Sequence, residues 1–332
     1  MALSTSLSDQ LQRKLYARGF ISNQYRFDDL YNISNLAQFK ETQWAETDDL
    51  NESDKPASRS RNVDLYTIGD SFTTMDTSFY AGRRNRHIWL GTAVDTVTLD
   101  PKVRSILVIE VIERTIQERL REHYADLYIR RGFQVRGETQ PLARPNAETI
   151  DTFWENTLNS EINQRLEFLL FNADIALSCK ELKANLMLSW FGRTHSGSLI
   201  SRDRQFLFYE VEASRKSNLS PFVPLTDADI DSVVVNMNRI RAHYISAGFT
   251  EVYFCFIPNK VTVCEPGRHP HNDQIQRIER NRNLQAPLLK LSNELLQHPE
   301  WFHKSGGHWN VNGKRLWLRY VNGVVLEWPV IR

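Results

Sequence analysis

The order of helical and strand-like segments predicts an α/β protein: a three-layer domain with a mostly parallel sheet flanked by helices. Three observations carry that class. Val63–Ile68, Ile106–Ile112 and Val252–Ile257 are mostly apolar runs of strand length, rich in β-branched and aromatic residues. Ile230–Ala247 reads as a long helix stopped at Gly248, and it leads into a strand over Glu251–Ile257, the step expected of a βαβ unit. Each apolar run also ends in residues able to do chemistry: Gly69-Asp70-Ser71 after the first, Glu113-Arg114 after the second, and Pro258-Asn259-Lys260 after the third. In an open parallel sheet the carboxyl ends of the strands form the ligand-binding edge.

The elements follow in order. Residues 1–60 read as an N-terminal extension packing on the core, and 61–332 as the main domain. A short amphipathic helix is expected over 8–18, capped by Ser8, with Leu11 and Leu15 on its apolar face and Gly19 at its end. Leu30, Ile33, Leu36 and Phe39 suggest a second helical or turn segment, and the charged stretch 41–62 a surface loop. Arg83, Arg84, Asn85 and Arg86 form a basic cluster before Trp89, and the strand ending at Ile112 passes into a helix carrying Ile116 and Leu120. Residues 125–160 are mixed and polar, whereas 161–190 are strongly helical. The Gly-, Ser- and Pro-richer stretch 192–224 reads as an insertion on the ligand side, with a strand-like Phe206–Val211 inside it. A final helix is expected over Lys314–Val321.

Composition excludes several classes. Lys plus Arg number 41 against 40 Asp plus Glu, so neither nucleic acid nor an anionic membrane is an expected partner. No run approaches the roughly 18 apolar residues of a membrane span. Asp9, Arg13, Lys14 and Arg18 interrupt the first twenty residues, so these do not read as the apolar core of a signal peptide. The expected location is therefore the cytoplasm, or the periplasm or exterior if export depends on a signal outside this chain. Cys179, Cys255 and Cys264 lack metal spacing and read as reduced thiols. His269, His271 and Asp273 read as a solvated loop, and His298, His303 and His308 lack ligand spacing, so no metal and no cofactor is expected.

A serine delivered to a strand end becomes a nucleophile when a histidine can take its proton. Ser71 is such a serine, and His308 stands in the unusual stretch Gly306-Gly307-His308-Trp309-Asn310-Val311-Asn312-Gly313. Gly69-Asp70-Ser71-Phe72 resembles the first block of the SGNH (GDSL-type) hydrolases. His308-Trp309-Asn310 with Gly313 resembles the histidine block of their alginate O-acetyltransferase-like branch, which acts on bacterial polysaccharides. The strands ending in Glu113-Arg114 and in Pro258-Asn259-Lys260 resemble two more blocks of that branch. Here the serine block comes first, so the order looks circularly permuted relative to many relatives in the branch.

The resemblance implies an SGNH/flavodoxin-like fold and a serine-dependent hydrolase or O-acyltransferase that cleaves or transfers an acyl group, most simply acetyl, on a carbohydrate. Ser71 and His308 would be catalytic, with Asn259, Arg114, Asp70, Trp309 and Asn310 as oxyanion or substrate-binding residues. The Ser71 backbone N–H is a further oxyanion donor, and Gly91 a candidate glycine for the same hole. Arg114 reads equally as an ion-pairing residue and Asn259 as a turn cap. Trp89, Tyr209, Trp301, Trp309 and Trp317 are the aromatics considered for a sugar platform. One departure stands out: the family places an aspartate two residues before the histidine, and this chain has Gly306 there. Either another acid or a backbone carbonyl orients His308, or the protein is a catalytically degenerate relative that binds carbohydrate or serves in assembly. On the first reading Gly306→Asp would raise activity.

Overall fold

The computed structural model describes residues 28–41, 50–89, 97–129, 134–135 and 174–328. The helix expected over 8–18, Gly91 and residues 161–173 of the expected central helix lie outside the described residues.

Nine strands are described: β1 (Val63–Gly69), β2 (Arg84–Trp89), β3 (Thr98–Leu99), β4 (Arg104–Ile112), β5 (Gln134–Val135), β6 (Ser198–Ile200), β7 (Leu207–Tyr209), β8 (Glu251–Ile257) and β9 (Leu288–Leu289). Five of them form one sheet in the order β2-β1-β4-β8-β9, every pair parallel. Counted within that sheet, the order is second, first, third, fourth, fifth. This is a doubly wound arrangement whose switch point lies between β1 and β4. Parallel pairing explains why these strands read as continuous apolar runs, because both faces are covered.

Side chains alternate across the sheet as the pleat requires. Tyr66, Ile68, Leu107, Ile109, Val111, Val252 and Phe254 face one core, which also holds Ile230, Val233, Val234, Met237, Ile240 and Tyr244. These last six belong to the helix Asp227–Ser246. Val63, Leu65, Ile106, Val108, Ile112, Cys255 and Ile257 face a second core with Leu316, Trp317, Leu318 and Val321 of the helix Val311–Val325. Fully burying a large aliphatic or aromatic side chain stabilises by about 1.5–3 kcal/mol, so these two layers dominate the fold.

In chain order the helices are α1 (Asp29–Ser34), α2 (Asp174–Phe191), α3 (Glu210–Ala213), α4 (Asp227–Ser246), α5 (Lys260–Cys264), α6 (Gln274–Glu279), α7 (Ser292–Leu295) and α8 (Val311–Val325). α4 begins at a capping box. The Asp229 N–H donates to Thr226 Oγ1 at 3.2 Å, and the Thr226 N–H donates to Asp229 Oδ2 at 2.8 Å. It stops as expected at Gly248, whose φ of +106° a side chain would disfavour.

Three local readings change. The basic cluster at 83–86 enters the edge strand β2, whose charged side chains hide its period and blunt an exposed edge. After β4 the chain makes a 3-10 turn, Glu113–Thr115, and a π-helical turn, Gln117–Glu122, rather than an α-helix. The stretch 192–224 contains an antiparallel hairpin, β6–β7, and β7 covers only Leu207–Tyr209 of the expected Phe206–Val211. Leu30, Leu36 and Phe39 pack with Leu207 of that hairpin, which seats residues 28–41 beside it.

Candidate active site

The turn that presents Ser71 is built from short-range polar contacts. The Phe72 N–H donates to Asp70 Oδ1 at 2.9 Å and the Thr73 N–H donates to the Asp70 carbonyl at 3.2 Å, so Asp70 shapes the turn with its own side chain. Behind it stands Glu110 of β4, fully buried. Its Oε2 accepts the Asp70 N–H at 2.9 Å and the Thr73 hydroxyl at 3.4 Å. Burial first, and the neighbouring Asp70 charge second, push the Glu110 carboxyl well above its usual range, which favours its neutral form. Gly69 permits this approach: a Cβ there would lie 2.2 Å from Thr73 Oγ1 and 2.8 Å from Glu110 Oε2.

The histidine arrives from the other side on the loop 302–309. The His303 N–H donates to the His308 carbonyl at 3.1 Å, and the Asn310 N–H donates to the Trp301 carbonyl at 2.7 Å. Trp309 Nε1 donates to the Phe72 carbonyl at 3.1 Å, tying this loop to the serine turn. The Phe72 ring lies 4.6 Å from the His308 ring, centroid to centroid. The result is a hydrogen bond of 2.6 Å between Ser71 Oγ and His308 Nε2, with Ser71 itself exposed. Burial lowers the His308 pKa and outweighs Asp29 and Asp70, which raise it, so the ring is neutral near pH 7 and the hydroxyl donates to it.

Among the described residues nothing hydrogen-bonds to the other ring nitrogen of His308, and the carboxylate that acts most strongly on the ring comes from far upstream. Asp29 Oδ1 accepts the Gly307 N–H at 3.3 Å and Oδ2 accepts the Tyr209 hydroxyl. Its neighbour Asp28 fills the space beside Gly306, where a Cβ would lie 2.5 Å from the Asp28 carboxyl carbon. The loop is also braced by Lys260, the last residue of the Pro258-Asn259-Lys260 block. Its buried ammonium donates to the carbonyls of Leu207 at 2.7 Å, Lys304 at 3.1 Å and Gly306 at 2.8 Å.

The other expected site residues are placed as follows. Arg114 ion-pairs with buried Glu212, lies over the Tyr209 ring at 5.8 Å, and carries a charge felt by both Asp70 and His308. Asn259 is 0% exposed. Its Oδ1 accepts the Arg114 N–H at 3.1 Å and its own N–H donates to Glu113 Oε2 at 2.8 Å, joining the ends of β4 and β8. Glu113 also accepts the Thr262 hydroxyl at 2.6 Å. Among the described residues, no hydrogen bond runs from Asn259 to Ser71 or His308.

Trp309, at 1% exposure, is a packing residue in this arrangement rather than an exposed sugar platform. Asn310 caps α8, accepting the Asn312 N–H at 3.0 Å while its amide donates to the Glu300 carbonyl at 2.8 Å. Trp317 is core. Trp89 is 40% exposed and ends β2 opposite Gly69, on the serine edge of the sheet. Sequence reasoning missed Asp28, Asp29, Glu110 and Glu212. The first two announced themselves only as an acidic pair before an apolar stripe.

Compared with known proteins, the chain matches no family model, no curated protein and no solved structure. Among the described residues no helix is long and apolar enough to cross a membrane.

Proposed function

We propose that the chain is a serine-dependent acyl ester hydrolase or O-acyltransferase of SGNH type acting on acylated carbohydrate. The observation that carries this reading is the Ser71–His308 hydrogen bond of 2.6 Å at the carboxyl edge of a doubly wound sheet. On it, Ser71 Oγ attacks the acyl carbonyl while His308 Nε2 takes its proton. The oxyanion is met by the Ser71 N–H, which has no acceptor among the described residues, and by the positive charge of Arg114. His308 then returns the proton to the leaving alkoxide. Water completes hydrolysis of the acyl-enzyme, and a sugar hydroxyl in its place completes transfer.

Two features support a carbohydrate. Trp89 offers an exposed indole face on the same edge. A polar cavity of about 240 Å³, lined by residues that include Arg114, Gln117, Ser220, Asn272 and Gln274, opens beside the end of β4. The test is labelling of Ser71 by a fluorophosphonate, with acetate release from a panel of acetylated sugars and p-nitrophenyl acetate. A second reading, a degenerate relative that binds carbohydrate without turnover, is favoured by the lack of a carboxylate bonded to His308 among the described residues. No labelling and no acetate release, together with retained sugar binding, would establish it.

A further inference from the structure

We infer that Asp28, Glu41 and His303 form a binding site for a divalent transition-metal cation, with Zn²⁺ the best match to its donors. One ligand atom from each lies within 4.8 Å of the other two, and Asp28 Oδ2 stands 3.8 Å from His303 Nδ1. Two carboxylate oxygens and one imidazole nitrogen make a donor set that zinc takes at about 2.0–2.2 Å, with water completing a tetrahedron. Small side-chain movements close the present spacing to that geometry.

The independent sign of a ligand is Asp28 Oδ2. Asp28 is 3% exposed, and Oδ2 has no hydrogen-bond partner among the described residues, although it is aimed at His303. A buried carboxylate oxygen left unpaired is costly, and a cation is the most direct remedy. The nearby Lys260 ammonium, whose charge acts on Asp28 and Glu41, gives Oδ2 no hydrogen bond, because it donates to the carbonyls of Leu207, Lys304 and Gly306. No Lys or Arg among the described residues ion-pairs with Asp28 or Glu41.

Around the donors there is already an orienting shell. Glu41 Oε2 accepts the N–H groups of Lys304 and Ser305, the latter at 3.0 Å, and the Ser305 hydroxyl at 3.3 Å. Two ligands come from the 28–41 segment and the third from the loop that carries His308, so the ion acts as a clip between them. Since His303 is backbone-bonded to His308, the clip holds the histidine loop in place without touching Ser71. The spacing of histidines alone hides such a site, because its donors are spread over residues 28, 41 and 303.

The experiment is thermal unfolding of chelator-washed full-length protein, titrated with ZnCl₂ and followed by circular dichroism. The expected result is a rise in Tm of roughly 5 °C once Zn²⁺ is well above its Kd. That rise disappears in His303→Gln and in Glu41→Gln, a half-buried position where the amide oxygen still accepts from Lys304 and Ser305. Asp28→Asn is the third variant, and Co²⁺ substitution provides a readout that does not depend on variant folding: visible absorption of low-symmetry coordination in the wild type. A Tm unmoved by Zn²⁺, or a Zn²⁺ shift that persists in both His303→Gln and Glu41→Gln, overturns the site. Ser71→Ala keeps the full shift, so the metal site and the esterase reading fail separately.

Discussion

Asp29 Oδ1 accepts the backbone N–H of Gly307 at 3.3 Å, so a carboxylate 278 positions upstream is fastened to the residue just before His308. Its charge also raises the pKa of that imidazole against the lowering effect of burial. If Asp29 is the group that steadies the imidazolium formed in the reaction, Asp29→Asn has two separable effects. Removing the negative charge moves the His308 pKa further down, so the acid limb of the kcat/KM profile shifts to lower pH. The plateau falls by roughly tenfold to a hundredfold, because the charged ring loses its stabilising partner. A pH profile of the variant on p-nitrophenyl acetate reads both. An unchanged acid limb would remove Asp29 from the site.

In the wild type the same profile has a predictable sign. His308 must be neutral to accept the Ser71 proton, and burial holds its pKa below the ordinary imidazole value of about 6.5. Activity should therefore be lost on acidification with a midpoint under that value, and be flat through pH 7. Ser71→Ala and His308→Ala should each reduce turnover by at least about a thousandfold, and the double variant should lose little more, since the two act as one unit. Unchanged turnover in Ser71→Ala would refute the nucleophile.

Glu110 gives a stability prediction. Burial and Asp70 push its carboxyl well above its usual range, so the fold favours the neutral form more than the unfolded chain does. A raised native pKa means that its contribution is complete below the unfolded value of about 4.3 and is lost as pH climbs through the native one. Wild-type stability should thus decline with rising pH in that window. Glu110→Gln, which keeps an acceptor for the Asp70 N–H, should flatten the decline. Urea unfolding at several pH values measures this, and parallel curves for the two proteins would show that Glu110 is ionised in the fold.

These groups differ in how far they could be read from the chain. The strands ending at Ser71, Glu113-Arg114 and Asn259 were legible because parallel strands buried on both faces leave unbroken apolar runs, and β1, β4 and β8 are neighbours with these residues at one edge. β2 was not, since an edge strand carrying Arg84, Asn85, Arg86 and His87 has neither run nor alternation. Ser71 and His308 could be paired from motif residues that flank them. Asp28 and Asp29 could not, because a carboxylate that works across 278 positions leaves no local pattern. Trp309 and Asn310 follow His308 directly in sequence, but their neighbours, not their types, decide that one packs on Phe72 and the other caps α8.

The position two residues before His308 yields the sharpest test. Taken from sequence alone, Gly306→Asp restores a missing carboxylate and raises activity. The packing reverses that expectation, because a Cβ at 306 would lie 2.5 Å from both Cγ and Oδ2 of Asp28. Gly306→Ala alone should therefore destabilise by about 1–3 kcal/mol through overpacking, and Gly306→Asp by more, since it sets a second carboxylate against the first. Both singles should lose activity as the loop carrying His308 is displaced. Asp28→Ala vacates the space, so Gly306→Asp should be tolerated in that background, with a coupling of roughly 1–3 kcal/mol in a double-mutant cycle from urea unfolding. The double variant carries a carboxylate where the resembled family has one, and it should be more active than Asp28→Ala alone. Additive stabilities in the cycle would show that Asp28 and residue 306 do not share this space, and the account of the glycine would fall with it.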